Sequence, residues 1–220
     1  MNNNNKDMPG ALADFCERLR EGLKKGDGDA LSMIEKTRLL FPELSLNRNL
    51  FQNVLRAVAR GEAFPDIGHP TMFDSEIILF NDPERYFTMR LFIWGPGQYD
   101  PVHDHNAWGV IGPVSGHLEV INYDRADDGG TEGWAVLRER DRMTIAPGED
   151  YYVLPMNAGI HRTGNPSEET IVQVSIYGRP SVKRDFINGF DPENDRVYPI
   201  YGPKMKKRKL AAEALEHFNR

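Results

Sequence analysis

The chain has 220 residues, 40% of them hydrophobic and 27% charged, which is the profile of one soluble globular domain with room for an extension. Its 27 Lys and Arg face 33 Asp and Glu, and the net charge of -6 disfavours a nucleic-acid partner. No apolar run reaches the ~20 residues that a membrane span needs, and with one cysteine, Cys16, there is no intrachain disulfide. The start, "MNNNNKDMPG", is polar and lacks the apolar core of a signal peptide. The expectation is a soluble cytoplasmic protein, monomer or homodimer, with no membrane and no nucleic acid among its partners.

In chain order, the first third reads helical. Leu12, Phe15, Cys16, Leu19 and Leu23 recur at steps of three and four, one face of a helix. The glycines of "KKGDGD" break it. A second helix is expected from Ala30 to Leu40, stopping before Pro42. Leu50, Phe51, Val54, Leu55 and Val58 mark a third, with Asn47 or Ser45 as cap and Gly61 and Pro65 beyond its end. These stripes read as core contacts rather than as a ligand site.

From about residue 71 the pattern shortens. "EIILF", "YFTMRLFIW", "GVIGPVSGHLEVINY", "WAVLRERD", "DYYVLP" and "TIVQVSIYG" are rich in β-branched and aromatic residues. Turn clusters such as "NDPE", "GPGQ", "DDGGTEG" and "APGE" separate them. Many short strands with regular turns imply a mainly β sandwich or barrel. After Gly178 the prolines at 180, 192, 199 and 203 suggest irregular chain. A last amphipathic helix uses Leu210, Ala214, Leu215 and Phe218, and the basic run Lys204, Lys206, Lys207, Arg208 and Lys209 reads as a solvated part of it. The expected organisation is a helical extension at 1–66, a barrel at 67–180, and a C-terminal irregular segment and helix packing on the barrel at 181–220.

The chemistry concentrates in "PVHDHNAWG". His103 and His105 are two apart, so on a strand both imidazoles point to one face and Asp104 to the other. Two residues on an outer face would show the same spacing, so the metal reading needs a third ligand. Of the six histidines, His161 in "PMNAGIHRTGN" is the candidate, because it follows a strand-like segment and a Gly turn. His117 reads as a surface turn histidine and His69 as a loop residue.

These segments resemble the two motifs of the cupin superfamily. "GQYDPVHDHNAWGVIGPVSG" has Gly97, His103, His105 and a closing Gly116; "GEDYYVLPMNAGIHRTGN" has Gly148, Pro155, Gly159, His161 and Asn165. The resemblance covers about half the chain and implies a cupin double-stranded β-helix barrel with a metal in its mouth. The motif's usual glutamate is missing, because Gly109 and Val110 stand at its positions. Three neutral imidazoles leave open coordination positions that suit O2 chemistry at iron, and zinc also accepts three histidines.

Three-His cupins with "HDH" before a Trp-Gly step look most like the thiol dioxygenases, cysteine dioxygenase and its bacterial 3-mercaptopropionate relatives. Trp94 before "GPGQ", "IHR" at 160–162 and Tyr177 in "SIYG" extend the similarity. It implies Fe(II) on His103, His105 and His161, with zinc or nickel as alternative occupants. Tyr177 would serve as a catalytic hydrogen-bond donor. A small thiol, most simply a thiol carboxylate, and O2 would be the reactants. The chain departs from the family's Ser-x-His-x-Tyr cluster, with Gln173 for the serine and Ser175 for the histidine. Val110 excludes the tyrosine–cysteine crosslink, and Ile77 stands where mammalian enzymes keep an arginine. Arg184 lies near the place of the bacterial enzymes' arginine. Arg90, in phase with Phe92 and Trp94 on a strand, is a second candidate for the substrate carboxylate; a cation among apolar strand residues needs a partner or a ligand. Two other readings remain open: a different three-His metal cupin enzyme, such as another dioxygenase or an isomerase, and a non-catalytic cupin that binds a small molecule.

Overall fold

The structure is a computed structural model and describes residues 8–26 and 28–218; the polar start on which the no-leader expectation rests lies largely outside them. Helix α1 spans Gly10–Lys24 and buries Leu12, Phe15, Cys16, Leu19 and Leu23, the face its periodicity marks. Helix α2, Ala30–Ser45, is capped by Asp29, whose carboxylate accepts from Ser32 N at 3.1 Å. It runs through Pro42 rather than stopping before it. Pro42 removes one backbone donor, but Phe41 and Leu44 are 0% and 1% exposed, and their burial offsets that loss. Helix α3, Arg48–Arg60, takes Asn47 as its cap through Leu50 N at 3.1 Å and ends on Gly61 in the left-handed region (φ 66°). No helix among the described residues is long and apolar enough to cross a membrane.

The strands are β1 (Glu76–Asn81), β2 (Phe87–Trp94), β3 (Val102–His103), β4 (Gly109–Ser115), β5 (Leu118–Arg125), β6 (Leu137–Ile145), β7 (Tyr151–Val153), β8 (His161–Gly164), β9 (Ile171–Gly178), β10 (Phe186–Asp191) and β11 (Arg196–Tyr201). Among the described residues they form a five-stranded sheet, β1-β2-β9-β4-β7, and a six-stranded sheet, β11-β10-β3-β8-β5-β6. From β3 onward the chain keeps crossing between the sheets: β3 lies in the second, β4 in the first, β5 in the second, β7 in the first, β8 in the second and β9 in the first. Every pairing is antiparallel. That winding is the double-stranded β-helix barrel expected of a cupin, mainly β with a helical extension.

Strand alternation divides the core. Met89, Leu91, Val110, Val174 and Ile176 pack outward with α1, α2 and α3. Phe92, Trp94, Ile111, Val120 and Ile171 pack in the interior between the sheets, with Tyr177 against them. The helices thus cover one face of the first sheet and leave its inner face to the site.

Two C-terminal expectations need correction. The stretch after Gly178 is not irregular throughout: β10 and β11 form a hairpin, and β10 pairs with β3 through Gly189↔His103 and Phe190↔Val102. The second sheet therefore extends past residue 180. Pro199 masked the strand in the sequence, yet β11 is an edge strand, where a missing N–H is tolerated. The final helix, α4 (Pro203–Phe218), does not bury its apolar residues in the barrel: Leu210, Leu215 and Phe218 are 56%, 61% and 85% exposed.

Phe41 sits under the helical layer with no exposure while Leu39 is 80% exposed. Phe41→Ala is expected to lower unfolding free energy by about 3–5 kcal/mol, and Leu39→Ala by no more than about 0.5 kcal/mol. Urea denaturation of the two variants checks the contrast.

Candidate metal centre

The β3–β8 pairing places His103 directly opposite His161. His105 follows β3 and turns its ring to the same point. The three ring centroids lie 4.7, 4.9 and 4.9 Å apart. One ring nitrogen from each residue falls within 4.8 Å of the others, and the Nε2 atoms of His105 and His161 are 3.4 Å apart. His103 Nδ1 donates to the Pro101 carbonyl at 2.8 Å, which leaves its Nε2 free for the cluster.

All three side chains are buried. Burial, and then the neighbouring His103, push the pKa values of His105 and His161 well below the ordinary histidine range. The Gly159 backbone acts on His161 in the opposite direction, and buried His161 Nδ1 has no hydrogen-bond partner among the described residues. Buried polar groups are as a rule hydrogen-bonded, and the one contact between these rings, Nε2 of His105 to Nε2 of His161, is long at 3.4 Å. Their convergent lone pairs fit one divalent transition metal of the iron or zinc type.

The elements around the cluster hold it in shape. Asp104 turns away from it, as strand alternation predicts, and is fully buried. It accepts from Asn188 N at 2.8 Å, Asn188 Nδ2 at 2.9 Å and the Arg184 guanidinium at 2.8 Å. Arg184 also donates to Asn106 Oδ1 at 2.8 Å. This candidate substrate residue is therefore committed to the back of the ligand segment, and it does not line the cavity on His105. Asp100, which the sequence did not flag, accepts from Thr163 N at 2.7 Å and Thr163 Oγ1 at 3.0 Å, tying the approach to β3 onto β8.

A cavity of 190 Å³ opens beside His105, with Arg90, Tyr177, Glu76, Phe92 and Ile187 in its walls. Arg90 points inward, in phase with Phe92 and Trp94. It is ion-paired with Glu76, whose other oxygen accepts from Met72 N at 3.0 Å and Phe73 N at 3.3 Å. Arg90 Nε has no hydrogen-bond partner among the described residues. Its guanidinium carbon lies 5.9 Å from the centre of the Tyr177 ring. Tyr177 in turn stacks on His105, with centroids 5.4 Å apart and planes at 22°. Burial raises the Tyr177 pKa, with Ser175 pulling it down, so the phenol is a neutral donor at physiological pH.

Sequence reasoning missed Glu76 and Tyr151. Tyr151 sets its ring edge-on to His161 at 5.7 Å and hydrogen-bonds Asn122. The one available signal for Glu76 was Arg90 itself, a strand cation in need of a partner. The missing glutamate of the first motif also acquires a reason. A Cβ on Gly109 would lie 2.7 Å from Tyr177 Cδ1, so the tyrosine ring fills the space that a side chain at 109 would need.

No protein-family model matches the chain. Among solved structures, it resembles the cupin-2 domain of an XRE-family transcriptional regulator from Enterobacter cloacae, at 20% identity over 48% of this chain and 95% of that one, with a TM-score of 0.35. It also resembles a cupin-2 domain from Rhodospirillum rubrum, at 16% identity over 55% and 66%, TM-score 0.39. A third is a putative sugar phosphate isomerase from Acidithiobacillus ferrooxidans, at 18% over 58% and 73%, TM-score 0.37. Likenesses this distant carry nothing about chemistry. The strand winding and the histidine cluster of this chain define its class: a cupin-type barrel with a three-histidine site able to hold a metal ion.

Equilibrium dialysis against Fe(II), Zn(II) or Ni(II) is expected to give a single bound ion per chain. His161→Ala should abolish that binding, and His117→Ala, on an exposed turn, should retain it. Gly109→Ala is expected to cost about 1–3 kcal/mol of stability through overpacking. Tyr177→Ala in the same chain should restore part of that loss, and a double-mutant cycle by chemical denaturation measures the coupling.

Proposed function

We propose that the chain is a non-haem Fe(II)-dependent dioxygenase that oxidises a small thiol, of the thiol-carboxylate class, to its sulfinate: R–S⁻ + O2 → R–SO2⁻. The observation that carries this reading is the three-imidazole cluster opening on a small cavity whose polar groups are a guanidinium and a neutral phenol. Iron, held by His103, His105 and His161, would supply O2 activation and an affinity for soft sulfur that lowers the thiol's pKa. Arg90 is the group for the substrate carboxylate, since one nitrogen is held by Glu76 while its Nε has no hydrogen-bond partner among the described residues. Arg184 drops out of that role because Asp104 already holds it. Tyr177 donates a hydrogen bond to the bound substrate or oxygen, and Phe92 and Ile187 exclude water. At 190 Å³ the cavity is below the ~300–1,000 Å³ of sites for drug-sized ligands, which favours a compact substrate. The reaction partners in this reading are the thiol and O2; nucleic acid and membrane play no part.

An oxygen-electrode screen of the iron-loaded protein against a panel of small thiols, with the sulfinate identified by mass spectrometry, tests the reading. His161→Ala is expected to abolish uptake. Arg90→Gln should raise KM for mercaptocarboxylates by about ten- to a hundredfold, the effect of losing a charge-assisted hydrogen bond, while thiols lacking a carboxylate change little. Uptake that survives His161→Ala overturns the mechanism. Iron binding without sulfinate from any thiol points instead to a different three-His metal enzyme.

A further inference from the structure

A second cavity, of 610 Å³, adjoins the one beside His105. The two share Met72 and Asn106 in their walls, so these two side chains form the partition between them. Asn106 is its rigid member. Its Oδ1 accepts from Arg184 Nε at 2.8 Å, and its Nδ2 donates to the Phe186 carbonyl at 2.9 Å. Met72 is fixed only in its backbone. Its N–H donates to Glu76 Oε2 at 3.0 Å, and Thr71 Oγ1 donates to the Phe73 and Glu76 carbonyls at 2.9 and 3.1 Å. The thioether beyond that backbone is half-buried, makes no hydrogen bond and is among the most adaptable of apolar side chains. The partition therefore has one side chain that is held and one that can swing.

The two cavities differ in charge. In the inner one Arg90 is paired with Glu76. In the outer one Arg184 is likewise neutralised, by Asp104, which leaves two lysines, Lys204 and Lys207, and one carboxylate, Asp185. The lysines stand three apart on α4, so they share one face of it. Both are exposed, and neither has an ion pair or a hydrogen bond among the described residues. The result is a positive mouth on a chain whose net charge is -6. A cleft of one sign focuses field lines and concentrates small ions of the other sign.

We propose that the outer cavity is an anion-collecting subsite on the path to the histidine cluster: Lys204 and Lys207 gather a small anion such as a carboxylate or thiolate, and the Met72 side chain is the door it passes to reach the inner cavity. These residues set which ligands enter and how fast, and they take no part in the chemistry. The path serves any small anion that binds a metal at the cluster; only a mercaptocarboxylate as its natural user rests on the proposed function.

The test uses the Co(II)-loaded protein without oxygen, where ligand binding to the metal changes the visible absorption and no turnover is needed. Azide is the anionic probe and imidazole, at mildly alkaline pH, the neutral one; stopped flow gives the association rate of each. Lys204→Glu with Lys207→Glu should slow azide about tenfold at low ionic strength and leave imidazole little changed. Salt at about 0.5 M, which screens charges beyond roughly 4 Å, should close that gap. Lys206→Glu with Arg208→Glu makes the same change of net charge on the same helix but outside the cavity wall, and should alter azide by no more than about twofold. Met72→Trp should slow both probes and Met72→Ala should speed both, since a door acts on size and not on charge. Azide rates that ignore the reversal at 204 and 207, or that fall equally with the reversal at 206 and 208, overturn the subsite. Rates of both probes that ignore Met72→Trp and Met72→Ala overturn the path. Mercaptoacetate that fails to bind the metal in the wild type would defeat the proposed function, and the azide and imidazole rates would still decide the route.

Discussion

The site depends on one sheet pairing. His103 lies opposite His161 because β3 and β8 run side by side in a register that Asp100 locks from one flank, through Thr163. Asp104 locks the other flank, through Asn188 and Arg184. A slip of one residue between these strands would turn one imidazole of the pair to the face opposite the other. Both carboxylates are buried, and each is bonded to the strand beside β3, Asp100 to Thr163 on β8 and Asp104 to Asn188 on β10.

The same economy explains the cavity. Gly109 stands where the usual motif has its glutamate, and the vacant volume is taken by the Tyr177 ring stacked on His105. A neutral phenol thus replaces an anionic ligand beside the cluster, which keeps the site more electropositive once a cation is bound. Glu76 lowers the field again by pairing with Arg90. The protein charges facing the cavity nearly cancel, so the bound metal would supply the attraction for an anionic thiolate.

Much of this was legible along the chain. The helical stripes of α1 and α3 are the buried faces, because a local period of 3.6 needs no knowledge of the partner. The inward phase of Arg90 with Trp94 followed from a period of two. Errors arose where packing overrode a local rule. Pro42 did not end α2, since Phe41 and Leu44 hold that last turn in the core. Pro199 did not prevent β11, since an edge strand has a donor to spare. The apolar residues of α4 have the helical spacing of a buried stripe, yet Leu215 and Phe218 meet no core.

By itself, then, the amino-acid sequence determined the ligand types and their spacing, the strand punctuation and the helical faces, all of which follow from the periodicities of a single chain segment. Only the tertiary structure decided the partners. It set Glu76 on Arg90, Asp104 on Arg184, Tyr177 over Gly109, and β10 against β3. Each of these joins residues far apart in the chain, and nothing local encodes which strands will lie side by side or in what register.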